Sequence, residues 1–232
     1  MDPVGIFDVS LARYMPEGIP YPLTRAYSSF ARSRIMRDFY RKVAEEVAFE
    51  LSCRRILDIG TGPGYLPLEV AKLVEGAEVV GIDISEDMIR IARRNAEREI
   101  LSERVEFLAM DANNMSFRNS SFDLVLSTGS LHHWKRPLQV LSEIRRVLKE
   151  GGQAWIYDLR RDAPRELIAA KLREYGYGGA MSSILSSLVR LHSGTSLGEL
   201  MSIVDETRLL FRGYSIEEDW CSFPVLKLKL FL

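Results

Sequence analysis

From Cys53 onward, short runs of β-branched and apolar residues alternate with longer segments whose apolar positions recur every three or four residues. Few folds accept that order: strand and helix in turn along one chain build a parallel sheet covered by helices. RRILDI, AEVVGID, RVEFLAM, FDLVLS and QAWIYD supply five strands, and YLPLEVAKLV, SEDMIRIARRNAEREI and PLQVLSEIRRVLKEGG supply helices between them. In the second helical segment Met88, Ile89, Ala92 and Ala96 form the buried stripe. Ser85 is its expected N-cap, and Glu86 and Asp87 lie in the first turn, where the helix dipole favours acids. The third is expected to stop at Gly151 and Gly152 in a left-handed turn. Helical sequence over 196–210 then leads to YSIEEDW and VLKLKLFL, whose period of two marks strands and an antiparallel pair closing the sheet.

Composition narrows the class. With 232 residues, 47% of them hydrophobic and 27% charged, the chain can bury a substantial globular core. A net charge of -1 argues against a protein that holds nucleic acid through its phosphates, a task that needs a basic excess. Cys53 and Cys221 show no metal-type spacing and suit a reducing compartment, and no metal site is expected. The N-terminal MDPVGIFDVS lacks the basic and apolar blocks of a secretory signal. The longest uncharged stretch, 175–189, is shorter than the roughly 18 apolar residues of a spanning helix and is diluted by Gly and Ser. A cytoplasmic protein without membrane insertion is the expectation.

Two segments fall outside the alternating unit. Residues 1–50, ending in a helical stretch, form an expected N-terminal cap on a domain over 51–232, and 160–195 form an expected lid insertion. Tyr14, Tyr21, Tyr27, Phe30, Tyr175 and Tyr177 are aromatic enough to line that lid or to pack the cap on itself. For MSSILSSLVRLHS a lid helix, a homodimer contact and a membrane-surface face stay open, the last disfavoured by its few cations.

The first strand runs into ILDIGTGPGYL, where Gly60, Gly62 and Gly64 remove side chains at every second position. Such a strand-to-helix loop lets a ligand touch the main chain or lets elements pack closely. Asp83 ends the second strand and Asp111 the third, on the same sheet edge as Asp58. Ligands of open α/β sheets sit outside that edge, where an acid about 20 residues past the loop can accept from both ribose hydroxyls. No Gly-Lys-Ser/Thr follows, so no P-loop lysine is supplied for a polyphosphate. Tyr65 stands where a dinucleotide fold has its third glycine, which disfavours a nicotinamide dehydrogenase.

ILDIGTGPG, VVGIDIS, FLAMDANNMSF, FDLVLSTGSLHHW and RRVLKEGGQAWIYD together resemble the motifs of the class I S-adenosylmethionine-dependent methyltransferases, in the small-molecule branch that includes the ubiquinone and menaquinone biosynthesis enzymes. The resemblance runs from about residue 56 to 158. It implies an α/β, Rossmann-like three-layer sandwich with a mostly parallel seven-stranded sheet and an antiparallel C-terminal strand. It also implies S-adenosylmethionine as cofactor, with S-adenosylhomocysteine as product, and methyl transfer to a small-molecule acceptor. By that resemblance Gly60, Gly62 and Gly64 border the methionine moiety, with Ser127 beside it. Asp83 holds the ribose hydroxyls, Asp111 and Ala112 meet the adenine amino edge, and Ile84 and Met88 pack on the adenosine. Asp58 orients the loop and reaches the ammonium group, directly or through water. A non-catalytic sensor or partner subunit with the same pocket is the alternative.

Methyl transfer from a sulfonium needs alignment before it needs a base. Where the acceptor carries an acidic proton, histidine is the natural base, and His132, ahead of His133, is the candidate catalytic residue at the fourth strand's end. Trp134 either walls the pocket or packs, and Asp158 with Arg160 either meets the acceptor or forms a surface ion pair.

Overall fold

The computed structural model describes residues 30–50, 54–192, 194–219 and 224–232. Strands β1 (Arg55–Ile59), β2 (Glu78–Asp83), β3 (Val105–Ala109), β4 (Phe122–Thr128), β5 (Leu148–Leu159), β6 (Gly213–Asp219) and β7 (Val225–Phe231) form one seven-stranded sheet of order β3-β2-β1-β4-β5-β7-β6. β1 to β5 pair in parallel, and β7 lies antiparallel between β5 and β6. The chain moves outward from β1 to β2 and β3, then returns to pair β4 on β1's other side. The gap between those two directions is a topological switch point, and it opens at the carboxyl ends of β1 and β4.

Helices cover both faces: α1 (Arg34–Glu50), α2 (Tyr65–Leu73), α3 (Glu86–Arg98), α4 (Pro137–Val147), α5 (Arg165–Glu174), α6 (Gly179–His192) and α7 (Leu197–Thr207). Strand alternation divides the core in two. Ile56, Leu124, Leu126, Trp155 and Tyr157 face the layer holding α1, α2 and α3, whereas Leu57, Ile59, Val125, Ala154 and Ile156 face α4 and α7. In α3 the expected stripe is buried, and Ser85 Oγ accepts from Met88 N at 3.4 Å.

One expectation is corrected. Gly151 and Gly152 do not end a helix: α4 stops at Val147, and β5 starts at Leu148 and passes through both glycines with a register shift against β4. Gly151 has φ 73°, and a Cβ on Gly152 would lie 2.8 Å from Lys149 O, so the pair serves this kink in the strand. LKLKL forms a strand as expected, and both of its lysines are buried, Lys227 at 2% and Lys229 at 7% exposure. They lie under α1, where Glu46 pairs with Lys227 and Glu50 with Lys229 at 2.7 Å, and Tyr157 Oη donates to Glu46 at 2.9 Å. This ionic seam, with the Phe39–Tyr157 ring contact, ties α1 to β5 and β7. Among the described residues no helix is long and apolar enough to cross a membrane.

Candidate functional site

At the switch point lies a solvent-open cleft with an accessible volume of about 100 Å³. Four strand ends build it: Ile59, Gly60 and Gly62 after β1, Ile82 to Ile84 at β2, Met110 to Asn113 after β3, and Gly129, Ser130, His133 and Trp134 after β4. Met88 of α3 and Val140 of α4 complete the wall.

The glycine loop is shaped by what surrounds it. Gly60 has φ 72°, and a Cβ there would lie 2.6 Å from that of Ser130, so the β1 and β4 loops approach with no room for a side chain. Gly62 N donates to Asp83 Oδ2 at 2.8 Å, while Ser85 N donates to Asp83 Oδ1 at 2.9 Å. Asp83 is thereby held rigidly at the cleft wall. Each of its oxygens keeps acceptor capacity, and burial raises its pKa against the pull of those two amides. Gly64 does not border the cleft: at φ 81° it precedes α2, and a Cβ would lie 2.6 Å from Phe107 Cζ and 2.9 Å from Ala92 Cβ. Close helix-to-sheet packing demands that glycine.

Asp58 also lies behind the cleft. It is 1% exposed, and its Oδ1 has no hydrogen-bond partner. Burial pushes its pKa up to about 7. Thr61, whose buried hydroxyl makes no well-formed hydrogen bond, lies near enough to oppose that rise, and Asp83 adds to it. Ser127 is fully buried and shares a 2.6 Å hydrogen bond with Ser130 Oγ, so Ser130 is the hydroxyl at the wall and Ser127 supports it. Asp111 Oδ1 accepts from both N and Nδ2 of Asn113, each at 2.8 Å. Ile84, Met88, Met110 and Ala112 add apolar surface on the same side.

The two histidines divide their roles. His132 Nδ1 lies 2.8 Å from Asp158 Oδ1, its main-chain N donates to Asp158 Oδ2 at 3.0 Å, and Thr195 Oγ1 donates to the same oxygen at 2.6 Å. Burial lowers the His132 pKa, but the Asp158 charge outweighs it and the net direction is upward. Asp158 is held below the usual carboxylate range although burial opposes that. Asp158 is therefore no surface group, being 2% exposed, and Arg160 pairs instead with Asp162 and Glu218. His133, 4.0 Å from His132 between ring centroids, borders the cleft. Burial and the neighbouring His132 push its pKa down to about 4, so its imidazole is neutral at physiological pH. Trp134 lines the cleft and also packs on the core.

Of the residues named from sequence, Gly60, Gly62, Asp83, Ile84, Met88, Asp111 and Ala112 meet at the cleft, while Asp58, Gly64, Ser127 and His132 stand directly behind its lining. Asn113, Ser130 and Met110 had no spacing signal of their own. Tyr175 and Tyr177 pack against the core, Phe30 is 42% exposed, and Tyr14, Tyr21 and Tyr27 lie outside the described residues, as does Cys221.

Residues 57–156 match the family model described as a methyltransferase domain. Residues 57–156 form a methyltransferase domain. It is 39% identical over 114 residues to the demethylmenaquinone methyltransferase of Thermus thermophilus, an alignment covering 49% of this chain and 51% of that one. Against the demethylmenaquinone methyltransferase of Clavibacter sepedonicus it is 32% identical over 176 residues, 76% of this chain and 66% of the relative. The chain thus spans about half to two thirds of the length of these relatives. In fold, the methyltransferase domain resembles the plantazolicin methyltransferase BpumL, solved with S-adenosylhomocysteine, at TM-score 0.67 and 18% identity, with 96% of this chain and 93% of that one covered. The cleft fits the methyltransferase cofactor. Asp83 has free lone pairs for hydroxyl donors, Asp58 Oδ1 is a buried acceptor awaiting a donor, and the apolar side chains match a nucleobase.

Proposed function

We propose that this chain transfers a methyl group from S-adenosylmethionine to a small-molecule acceptor. Bound in the cleft, the cofactor supplies an electrophilic methyl on a cationic sulfur. Asp83 accepts the ribose hydroxyls, and Asp111 with Ala112 meets the adenine edge, between Ile84 and Met88. Gly60 and Gly62 bring bare backbone to the methionine end, Gly64 keeps the loop packed, and Ser127 steadies Ser130 there. Asp58 compensates the ammonium, and two nearby carboxyls favour a cationic ligand over a polyphosphate. The observation that most supports this reading is the convergence of four strand ends on one cleft in which Gly62 N fixes Asp83.

For an acceptor with an acidic proton, the cleft-facing neutral His133 is the base, and His132, locked to Asp158, positions it. The relatives' names point to quinol-like aromatic acceptors as the first to test. A lid over 160–195 encloses the acceptor, most of the expected cap over 1–50 lies outside the described residues, and the protein works in the cytoplasm, as a monomer or a homodimer.

Calorimetric titration with S-adenosylhomocysteine and with a nicotinamide dinucleotide tests the pocket. A labelled-methyl assay against phenols, quinols and carboxylic acids tests turnover. Binding only the dinucleotide refutes the proposal, and donor binding without transfer to any acceptor favours the sensor alternative.

A further inference from the structure

Thr195 is 4% exposed, and its hydroxyl donates to Asp158 Oδ2 at 2.6 Å. It stands where the chain returns to the sheet from the 160–195 insertion, and it is pinned there from both sides. Thr195 N donates to Leu159 O at 2.9 Å, Arg161 N donates to Thr195 O at 3.2 Å, and Arg160 and Thr195 form a parallel bridge. Gly194 precedes it at φ 93°, where a Cβ would run into Leu159 O, so the returning chain presses directly on the end of β5. On the other side Ser196 starts α7 in a capping box with Glu199, and Glu199 also pairs with Arg161 at 2.7 Å. The insertion therefore leaves and rejoins the sheet at one place, beside Asp158.

Asp158 needs such fixing. Its side chain is 2% exposed, and a buried charge is stable only where hydrogen bonds and an opposite charge replace water. Oδ1 accepts from His132 Nδ1 at 2.8 Å and from Leu159 N at 3.0 Å, while Oδ2 accepts from His132 N at 3.0 Å and from Thr195. A carboxylate only accepts, so Nδ1 of His132 carries the hydrogen. Without the Thr195 hydroxyl, Oδ2 would touch only His132, and carboxylate and ring would be free to turn together. The hydroxyl ties the pair to the sheet, and the His133 ring lies 4.0 Å from that of His132 between centroids.

We propose that Thr195 is a positioning residue for methyl transfer: its hydroxyl locks the Asp158 carboxylate, which sets the His132 ring against the His133 base, so the base is placed only when the 160–195 insertion is seated on the sheet. This rests on the reading of His133 as the base.

Thr195→Val and Thr195→Ser isolate the hydroxyl, because valine keeps the size and both backbone bonds and serine keeps the donor. Proton NMR of the whole chain reads the Nδ1 hydrogen of His132, which as a buried donor to a carboxylate resonates far downfield and is assigned by its loss in His132→Gln. Wild type and Thr195→Ser should show it, and Thr195→Val should lose it to exchange with water. Gly194→Ala lifts the same hydroxyl away without removing it and should lose the resonance too. On a phenol or quinol turned over in the labelled-methyl assay, kcat should fall about tenfold or more in Thr195→Val and recover in Thr195→Ser, with KM for S-adenosylmethionine within about twofold of wild type, because misplaced groups cost rate rather than donor binding. A Thr195→Val or Gly194→Ala protein that keeps the resonance overturns the proposal, as does a valine variant with wild-type kcat or a serine variant that behaves like valine. If Thr195→Val does not fold, wild type decides: no downfield Nδ1 hydrogen refutes the locked carboxylate. Failure of the underlying reading looks different, since His133→Gln with unchanged kcat would remove the base while the resonance and its dependence on Thr195 stayed in place.

Discussion

Asp58→Asn should stabilise the protein while weakening its grip on the cofactor. Asp58 is 1% exposed, its Oδ1 has no partner, and its pKa stands at about 7 against an ordinary 3.8. A carboxyl whose folded pKa lies above the unfolded one contributes fully below the unfolded value, and that contribution is lost as pH rises to the folded one. At about 1.36 kcal/mol per pH unit, the interval from 3.8 to about 7 corresponds to at most about 4 kcal/mol. The amide variant has no charge to bury and escapes this loss. Urea unfolding of both proteins between pH 4 and 8 should therefore show a stability gap that widens in favour of Asp58→Asn up to about pH 7 and is level above it. Over the same range, wild-type affinity for S-adenosylhomocysteine should rise with pH as Asp58 deprotonates to meet the ammonium, whereas the variant should bind weakly with little such slope. A gap independent of pH, or a wild type favoured at pH 8, would mean that the carboxyl is solvated and ionises normally.

Asp83→Ala removes an acceptor that Gly62 and Ser85 hold in place. Calorimetry should show cofactor binding weakened by about 1 to 3 kcal/mol. Gly64→Ala places a Cβ 2.6 Å from Phe107 at a φ of 81°, and chemical denaturation should register a loss of about 2 kcal/mol or more. The imidazole of His133 should remain neutral by NMR down to about pH 4, and His132→Gln should raise that midpoint by removing a neighbouring charge. Because the folded pKa of His133 is depressed, its contribution to stability should be intact above about pH 6.5 and drain as pH falls toward 4. Lys227→Met removes the main partner of Glu46 and leaves it Tyr157 and the more distant Lys229, so a loss of up to about 3 kcal/mol is expected in urea unfolding, with most of it restored by the double variant that also carries Glu46→Leu.

The strands and the carboxyl-edge site were legible because they follow from local rules. Apolar alternation marked β1 to β5, and each acid at a strand end marked the edge where a ligand sits. What was not legible depends on distant pairings. Gly64 looked like a ligand contact, yet Phe107 and Ala92, which require it, lie far along the chain. Ser127 and Ser130 are three residues apart, but only the register of β4 decides that one is buried and the other lines the cleft. His132 was favoured over His133, since nothing local reveals that Asp158 at the end of β5 claims its ring. Nothing local tells that the lysines of β7 are buried, because Glu50 of α1, which pairs with Lys229, is 179 residues away along the chain.

The most direct test of the account is a crystal structure of the chain with S-adenosylhomocysteine. The ribose hydroxyls should lie on Asp83, the purine beside Asp111, and the amino acid end over Gly60 and Gly62. A ligand bound elsewhere, or a cleft that stays closed to saturating ligand, would contradict it.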